Sequence, residues 1–555
     1  MPNLKVNTVP CDVLIVGAGV SGLFAAYRLL NNNPGLNVVI TEKLGRSGGR
    51  LQTTFVDIKD SNGDPVTVHD EEGGMRFVPE TNPKYPGVKR MQHLWKLIRN
   101  FGLETVPFVM GDGNNRYYAR GRSFTVDEAK ANNNALWSKL YTLDHKEKGK
   151  SPTNILEEVM NQILEQNGNA SAPQTPADWI KFRNSFTFKD SKGTPYPLNK
   201  WGFWAMLRQT GLSEEALSML THVMGFMGPY EAYINAGEGL QILFDFPSVS
   251  FFTLKNGFES LPSSLEDAIK SSGGTFVFNE TIQSIGQNGA TITAVGSQQT
   301  YEASKVILAI PKEPMNQLAK QSPMLSQNTL FMDTVDTVQN MELTKIGLYF
   351  SERWWLKNQN INILNGPNFT DLPMGSLYSF SQFPSDNEKD KNYTGPAAIT
   401  QYTDYIRGNF RMELQNIGEM YQTDEFPVNP SNTKPCSVNV VNEMMKQIKL
   451  VFGLNEDDPS VPIPVLSTYR VWGQGDYGYG YHQYKMNVDD LNDVYFQIYN
   501  PAENVYVCNE AWSPEQGWVE GALIMSDFVM ILGFGLSPFI ADAQNPILAL
   551  KHPQK

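Results

Sequence analysis

Val13-Leu14-Ile15-Val16-Gly17-Ala18-Gly19-Val20-Ser21-Gly22 stands near the start of the chain, and about twenty residues later comes Val38-Val39-Ile40-Thr41-Glu42. An apolar run of strand length feeds a GxGxxG turn, an apolar helical pattern follows in Leu23, Ala26, Leu29 and Leu30, and a second strand ends on an acid. That order predicts a dinucleotide-binding βαβ unit, because glycines in an ordinary loop would lack strand, helix and acid in register. Gly17 permits the tight turn, Gly19 admits a pyrophosphate to the backbone, and Gly22 lets helix and strand pack closely. The helix N-terminus presents unpaired N–H groups to negative charge. Glu42 is placed to accept from an adenosine ribose 2′-hydroxyl, which favours FAD or NAD over NADP, whose 2′-phosphate it would repel.

At 555 residues the chain is too long for one core, so two or three domains are expected. A net charge of -13, with basic residues scattered and no Lys/Arg tract, argues against nucleic acid or an anionic membrane surface as partner. Cys11, Cys436 and Cys508 are far apart and read as buried thiols, with neither a disulfide framework nor CxxC metal spacing. Met1 to Pro10 carry no apolar signal-peptide core, so a soluble, cytoplasmic protein is expected. The apolar stretch Ala522 to Ile540 holds Ser526 and Asp527 early and is broken by Gly533, Gly535 and Pro538, which predicts a buried helix and a turn rather than a membrane span. Sequons at Asn169, Asn279, Asn368 and Asn392 would matter only after secretion.

Downstream of the nucleotide-binding start the pattern turns helical from about residue 130 to 245, in Ile155, Val159, Ile163 and Leu164, in Trp201 to Leu212, and in Ser213-Glu214-Glu215-Ala216-Leu217 with its serine cap. Strands return at Gly274 to Phe278, Ile282 to Ile285, Val306 to Ile310, Lys345 to Phe350 and Val505 to Cys508.

Several short blocks carry chemistry. Gly45-Arg46-Ser47-Gly48-Gly49-Arg50, directly after Glu42, supplies backbone N–H groups and guanidinium forks for a diphosphate, or else is a basic surface loop. In Glu72-Gly73-Gly74-Met75-Arg76-Phe77 a glycine pair lets the main chain pass close to a flat ring, with an arginine beside it. Asn509-Glu510-Ala511-Trp512 and Gly517-Trp518-Val519-Glu520-Gly521-Ala522 follow the last strand, where a helix N-terminus can again meet a cofactor. The six histidines are dispersed, with no metal spacing, and no G-x-S-x-G elbow occurs, so a metal enzyme or triad hydrolase is poorly supported.

At these residues the chain resembles the FAD-dependent amine oxidase family, most closely its L-amino acid oxidase branch, from about Asp12 to about Gly533. The resemblance implies a mixed α/β fold: a Rossmann-like FAD-binding domain (1–80, 250–315 and 495–555), a mixed-sheet substrate-binding domain (81–130 and 316–494) and an inserted helical subdomain (131–249). It implies FAD contacts from Gly17, Gly19, Gly22, Glu42, Arg46, Gly49 and Arg50, then from Gly74, Met75 and Arg76. Gly257-Phe258-Glu259-Ser260-Leu261-Pro262 is similar to the turn into the family's second FAD segment, where Ile282 lies beside the adenine. Glu510 matches the ribityl-binding acid, with Asn509 where glycine is usual, and Gly517, Trp518 and Val519 close the C-terminal part of the site.

Arg76 matches the arginine that clamps a substrate carboxylate, a role its planar fork suits and a lysine would not reproduce; a salt bridge to Glu71 or Glu72 is the alternative. Tyr378, after Asp371-Leu372-Pro373, resembles a tyrosine offered to the same carboxylate and equally fits a core aromatic. Lys345 sits inside an apolar strand pattern, so it lies on an exposed face or has a function, and it matches the lysine that holds a water near flavin N5 for reoxidation by O₂. Trp472 and Tyr481 resemble one aromatic wall facing the flavin and Trp518 the other, although Gly480 to Tyr484 could be plain loop. The implied activity is oxidative deamination of L-amino acids to 2-oxo acids with release of ammonia and hydrogen peroxide, by hydride transfer from Cα to flavin N5, in a dimer or larger homo-oligomer. The alternatives are an amino acid 2-monooxygenase, an amine or polyamine oxidase, and a protein with a structural flavin.

Overall fold

The computed structural model describes residues 8–82, 85–245, 250–380, 392–404, 412–421, 433–473, 478–540 and 545–551. The leader reading of Met1 to Pro10 therefore falls mostly outside them. Strand β1 (Thr8–Val16), helix α1 (Val20–Asn32) and strand β2 (Val38–Glu42) form the predicted unit, with β1 and β2 parallel from Val13 opposite Val38 to Val16 opposite Thr41. Gly17 turns between β1 and α1 at φ +104°, which an L side chain rarely adopts. A Cβ on Gly22 would fall 2.0 Å from the Gly17 carbonyl oxygen, so the third glycine is there for close packing.

β1 and β2 sit in a seven-stranded sheet. Its order runs Thr275–Phe278, β2, β1, Thr300–Leu308, Thr291–Gly296, Ile282–Asn288, parallel through Thr300–Leu308 and antiparallel beyond. Val505–Val507 pairs in parallel with the last residues of Thr300–Leu308. Asn509 and Glu510 thereby arrive at the carboxyl ends of the parallel strands, where open α/β sheets bind ligands.

A second seven-stranded sheet has Leu343–Phe350 between Leu466–Trp472 and Ala397–Asp404, and continues through Ser376–Phe380, Gly366–Thr370, Arg116–Ala119 and Arg122–Thr125. Every residue of Leu343–Phe350 is buried, because neighbours cover both faces as well as both edges. Helices Pro152–Gln166, Glu214–Val223 and Ala236–Asp245 pack around a separate apolar core. Ser213 accepts from the Ala216 N–H as its cap reading predicts. The helix expected over Trp201 to Leu212 is shorter, Phe203–Gln209, because Gly202 starts it and Gly211 at φ +79° follows its end.

The apolar C-terminal stretch is the helix Val519–Phe534, ended by Gly535 at φ +68°, and no helix among the described residues is long and apolar enough to cross a membrane. All three cysteines are buried, and burial pushes the Cys11 thiol up to about 11 and those of Cys436 and Cys508 to about 12. Of the sequons, Asn368 is fully buried, its side chain accepting from the Arg116 N–H and donating to the Leu377 carbonyl, which leaves no room for a glycan.

The charges of this helix are paired inside the protein. Glu520 accepts from the His93 and Leu94 N–H groups at 3.1 and 3.0 Å and so caps helix α2 (Gln92–Asn100), whose own N-cap, Met91, has no side chain able to do so. The His93 ring bridges Glu520 at 2.8 Å and Asp527 at 3.4 Å, and Asp527 also takes Arg28 of α1 and the Phe539 N–H. Burial alone would lower the His93 pKa, but Glu520 and Asp527 outweigh it and raise it to about 9. A folded value above the unfolded one of about 6.5 stabilises fully below that pH and is lost as pH rises through about 9. His93→Gln is expected to lower stability by about 3 kcal/mol at pH 6, with the gap to wild type closing towards about pH 10 in a series of thermal melts.

Candidate active site

Two adjoining cavities, of about 440 and 130 Å³, share part of their lining, and the larger lies at the carboxyl ends of the parallel strands. The larger runs from the βαβ turn at Gly17 and Gly19, past Glu42 and Ile282, to Arg50, Glu510 and Trp518. The N-terminus of α1 borders it with Gly19 as a cap that offers no side-chain hydrogen bond, so backbone donors face the space. Gly48 bridges to Gly19, and a Cβ on Gly49 would come 3.1 Å from the Gly19 Cα, so two glycine turns are stacked against each other. Glu42 accepts from the Ala18 N–H at 2.8 Å and the Leu44 N–H at 2.9 Å. Burial raises its pKa while these donors oppose the rise. A long cleft with backbone donors at one end, a buried acid beside them and an ion pair further along fits a flavin dinucleotide.

Not every expected contact faces this cavity. Arg46 donates instead to the carbonyls of Ser47, Leu51 and Gly49 and to the Gln52 side chain, bracing its own loop from inside. It is absent from the cavity lining, so the structure turns its guanidinium into the loop and not towards the space expected for a diphosphate. Carbonyls of a turn held in left-handed backbone at Gly48 and Gly49 converge on that side chain, and sequence alone cannot show their direction. Gly22 is buried in the helix–strand contact, and Met75 and Arg76 open on the smaller cavity. Gly73 is demanded by the neighbouring loop: a Cβ there would lie 1.8 Å from the Arg50 carbonyl oxygen.

Glu510 is the hub between the cavities. Its carboxylate takes Arg50 Nη1 at 2.7 Å, the Gly517 N–H at 2.7 Å, the His482 N–H at 3.2 Å and His482 Nδ1 at 3.0 Å. Burial would raise its pKa, but Arg50 and His482 together bring it down to about 2.

The smaller cavity is walled by Trp472, Tyr481, Trp518, Tyr402 and Phe226, with Arg76 and Lys345 among its polar lining. Trp472, Gly480, Gly517, Trp518 and Val519 border both spaces. The Arg76 guanidinium carbon lies 5.4, 5.1 and 5.5 Å from the ring centres of Phe108, Phe251 and Tyr378, and Nη1 donates to the Tyr378 hydroxyl at 3.3 Å. Glu71 instead accepts from Thr53 and the Phe258 N–H, and Glu72 from Thr54. Tyr378 is buried behind Arg76 rather than in the cavity wall.

Lys345 is buried, which decides against the exposed-face alternative. Its ammonium donates to the carbonyls of Glu71 at 2.7 Å and Gly73 at 2.6 Å and lies 4.8 Å from the Tyr402 ring centre, fixing the turn that carries Arg76. Burial lowers its pKa to about 8, with Asp70, Glu71 and Glu72 opposing. Trp472 is held by its indole N–H on the Glu72 carbonyl at 2.6 Å and by the Arg470 guanidinium 3.9 Å over its ring. Sequence reasoning passed over Tyr402, Phe226 and the role of His482. Tyr402 and Phe226 lie on segments without a motif, His482 sits beside Tyr481 in the Gly480 to Tyr484 block, and only the packing brings the three here.

The family of flavin containing amine oxidoreductases matches residues 20–525 of this chain. Achacin of Lissachatina fulica is 25% identical over 547 residues, covering 90% of this chain and 90% of its own. L-amino acid oxidase Bs29 of Bothriechis schlegelii is 23% identical over 533 residues, covering 94% of this chain and 89% of its own. Among solved structures, wild-type putrescine oxidase bound to putrescine shares the fold, with a TM-score of 0.64 and 17% identity over 96% of this chain and 100% of that one. A family match spanning most of the sequence, together with this fold, shows that the chain belongs to the flavin-containing amine oxidoreductases, with FAD as its cofactor.

Proposed function

We propose that this protein is an L-amino acid oxidase. The observation that carries the reading is Arg76, set in a box of aromatic rings at the wall of the small cavity, which shares Gly74, Trp472 and Trp518 with the larger one. A guanidinium in apolar surroundings binds a carboxylate through two parallel charge-assisted hydrogen bonds, and an amine without a carboxylate has no use for it. The relative named L-amino acid oxidase supports the same reading. When bound, FAD supplies the hydride acceptor for the amino acid Cα and afterwards passes the electrons to O₂.

The chain's own residues bind and orient. Arg76 fixes the substrate carboxylate, with Tyr378 holding the guanidinium in plane from behind. Trp472, Tyr481 and Trp518 restrict the substrate to a narrow slot and exclude water from it. Among the described residues no histidine lines the slot, so no imidazole base is assigned to the ammonium proton. Lys345 keeps a positive charge at the small cavity below about pH 8, a suitable partner for a water and for the reduction of O₂. Glu42 and the N-terminal amides of α1 hold the adenosine and pyrophosphate end of the cofactor, and Arg50 with Glu510 holds the ribityl end.

Anaerobic mixing with L-amino acids, their D-enantiomers and the matching amines is expected to bleach the flavin with the L-amino acids alone, and air should then yield peroxide and a 2-oxo acid. Bleaching by amines or diamines, or an amide product, would overturn the assignment. Arg76→Met should lower kcat/KM for amino acids at least about a hundredfold with FAD still bound, as measured by steady-state kinetics and flavin content. Glu42→Ala should weaken FAD binding by roughly tenfold or more, read as flavin absorbance per protein after dialysis. Lys345→Met should slow reoxidation in stopped flow and abolish a decline of that rate as pH rises through about 8.

A further inference from the structure

Tyr481 and His482 are neighbours on the strand Tyr481–Tyr484, and the pleat turns them to opposite sides. Tyr481 walls the small cavity, while His482 is wholly buried against Glu510 at the edge of the large one. The strand is fastened on both sides of Tyr481: the Gly480 carbonyl accepts from Arg50 at 3.1 Å, and the His482 N–H and Nδ1 both reach the Glu510 carboxylate. A slip of one residue would exchange the two side chains between faces.

The chemistry of the ring suits a fixed donor. Burial lowers its pKa, Glu510 opposes this, and the nearby charges of Arg50 and Lys312 add to the lowering, so the ring is held neutral. A neutral imidazole has one N–H, and the ionised Glu510 can only accept, which places the proton on Nδ1. Nε2 is buried without a hydrogen-bond partner, as is Oδ1 of Asn340, the residue opposite His482 on the paired strand.

We propose that His482 is a positioning residue that fastens the Tyr481 wall of the substrate cavity to the cofactor-side carboxylate Glu510, so that flavin retention and substrate fit are set by one contact. The inference rests on reading the large cavity as the flavin site and the small one as the substrate site.

The test compares holoenzyme variants. His482→Leu removes the donor, His482→Asn keeps an N–H near the position of Nδ1, and His482→Gln moves it towards Nε2. The Leu variant should show an FAD dissociation constant raised at least tenfold, a shifted visible flavin spectrum, and, at saturating FAD, a substrate KM that rises more than kcat falls. Asn should recover most of all three and Gln should not. In a Glu510→Gln background His482→Leu should add little, which marks the contact itself as the source. If the Leu variant does not fold, the Asn and Gln pair carries the same comparison. Equal behaviour of Asn and Gln, or weakened FAD binding with an unchanged KM, would overturn the proposal. The substrate used is whichever class bleaches wild type, so an amine specificity would sink the amino acid reading and leave this test standing.

Discussion

The ion pair of Glu510 with Arg50 joins three distant segments: the glycine-rich loop after β2, the strand that carries Tyr481, and the turn into the C-terminal helix at Gly517. A carboxylate taken out of water costs several kcal/mol unless it is compensated, and here each oxygen receives two donors. Removing Arg50 would leave the buried carboxylate without its cation, so the aromatic walls and the glycine-rich loop adopt their places together. The two cavities share Arg50, Trp472 and Trp518 because they are built on this one electrostatic joint.

A second buried constellation lies beside the small cavity. Asp70, Glu71 and Glu72 end one strand and enter the turn before Arg76, and all three are buried. Burial pushes Glu71 up to about 8 and Glu72 to about 7, with Thr53, Thr54 and Lys345 working against the rise. Lys345 and Arg470 stand directly opposite each other on adjacent strands, and the charges of both oppose the rise at Glu72. The central strand of the second sheet thus reaches across to hold a turn of the first part of the chain, and Arg76 inherits its position from that grip.

The C-terminal helix closes the structure from the other side. Its apolar character all round reflects burial among α1, α2 and the first sheet, and its internal charges are consumed by His93 and Arg28. The Ser526 hydroxyl donates to the Ser21 carbonyl, so the helix that begins beside the small cavity is docked on the helix that begins beside the Gly17 and Gly19 end of the large one.

Sequence alone determined the βαβ unit, the turn and packing roles of Gly17 and Gly22 and the acid at the end of β2, because these depend on local periodicity and on backbone geometry confined to about thirty residues. It also marked the GGMR turn, Glu510 and the aromatic turns, since residue type and order were enough to flag them. Only the tertiary structure decided that Arg46 braces its own loop, that Lys345 is buried, that Tyr378 stands behind Arg76, and that His482 and Tyr402 belong to the site. Those outcomes depend on which way a side chain turns and on partners hundreds of residues away, and neither is encoded in local spacing.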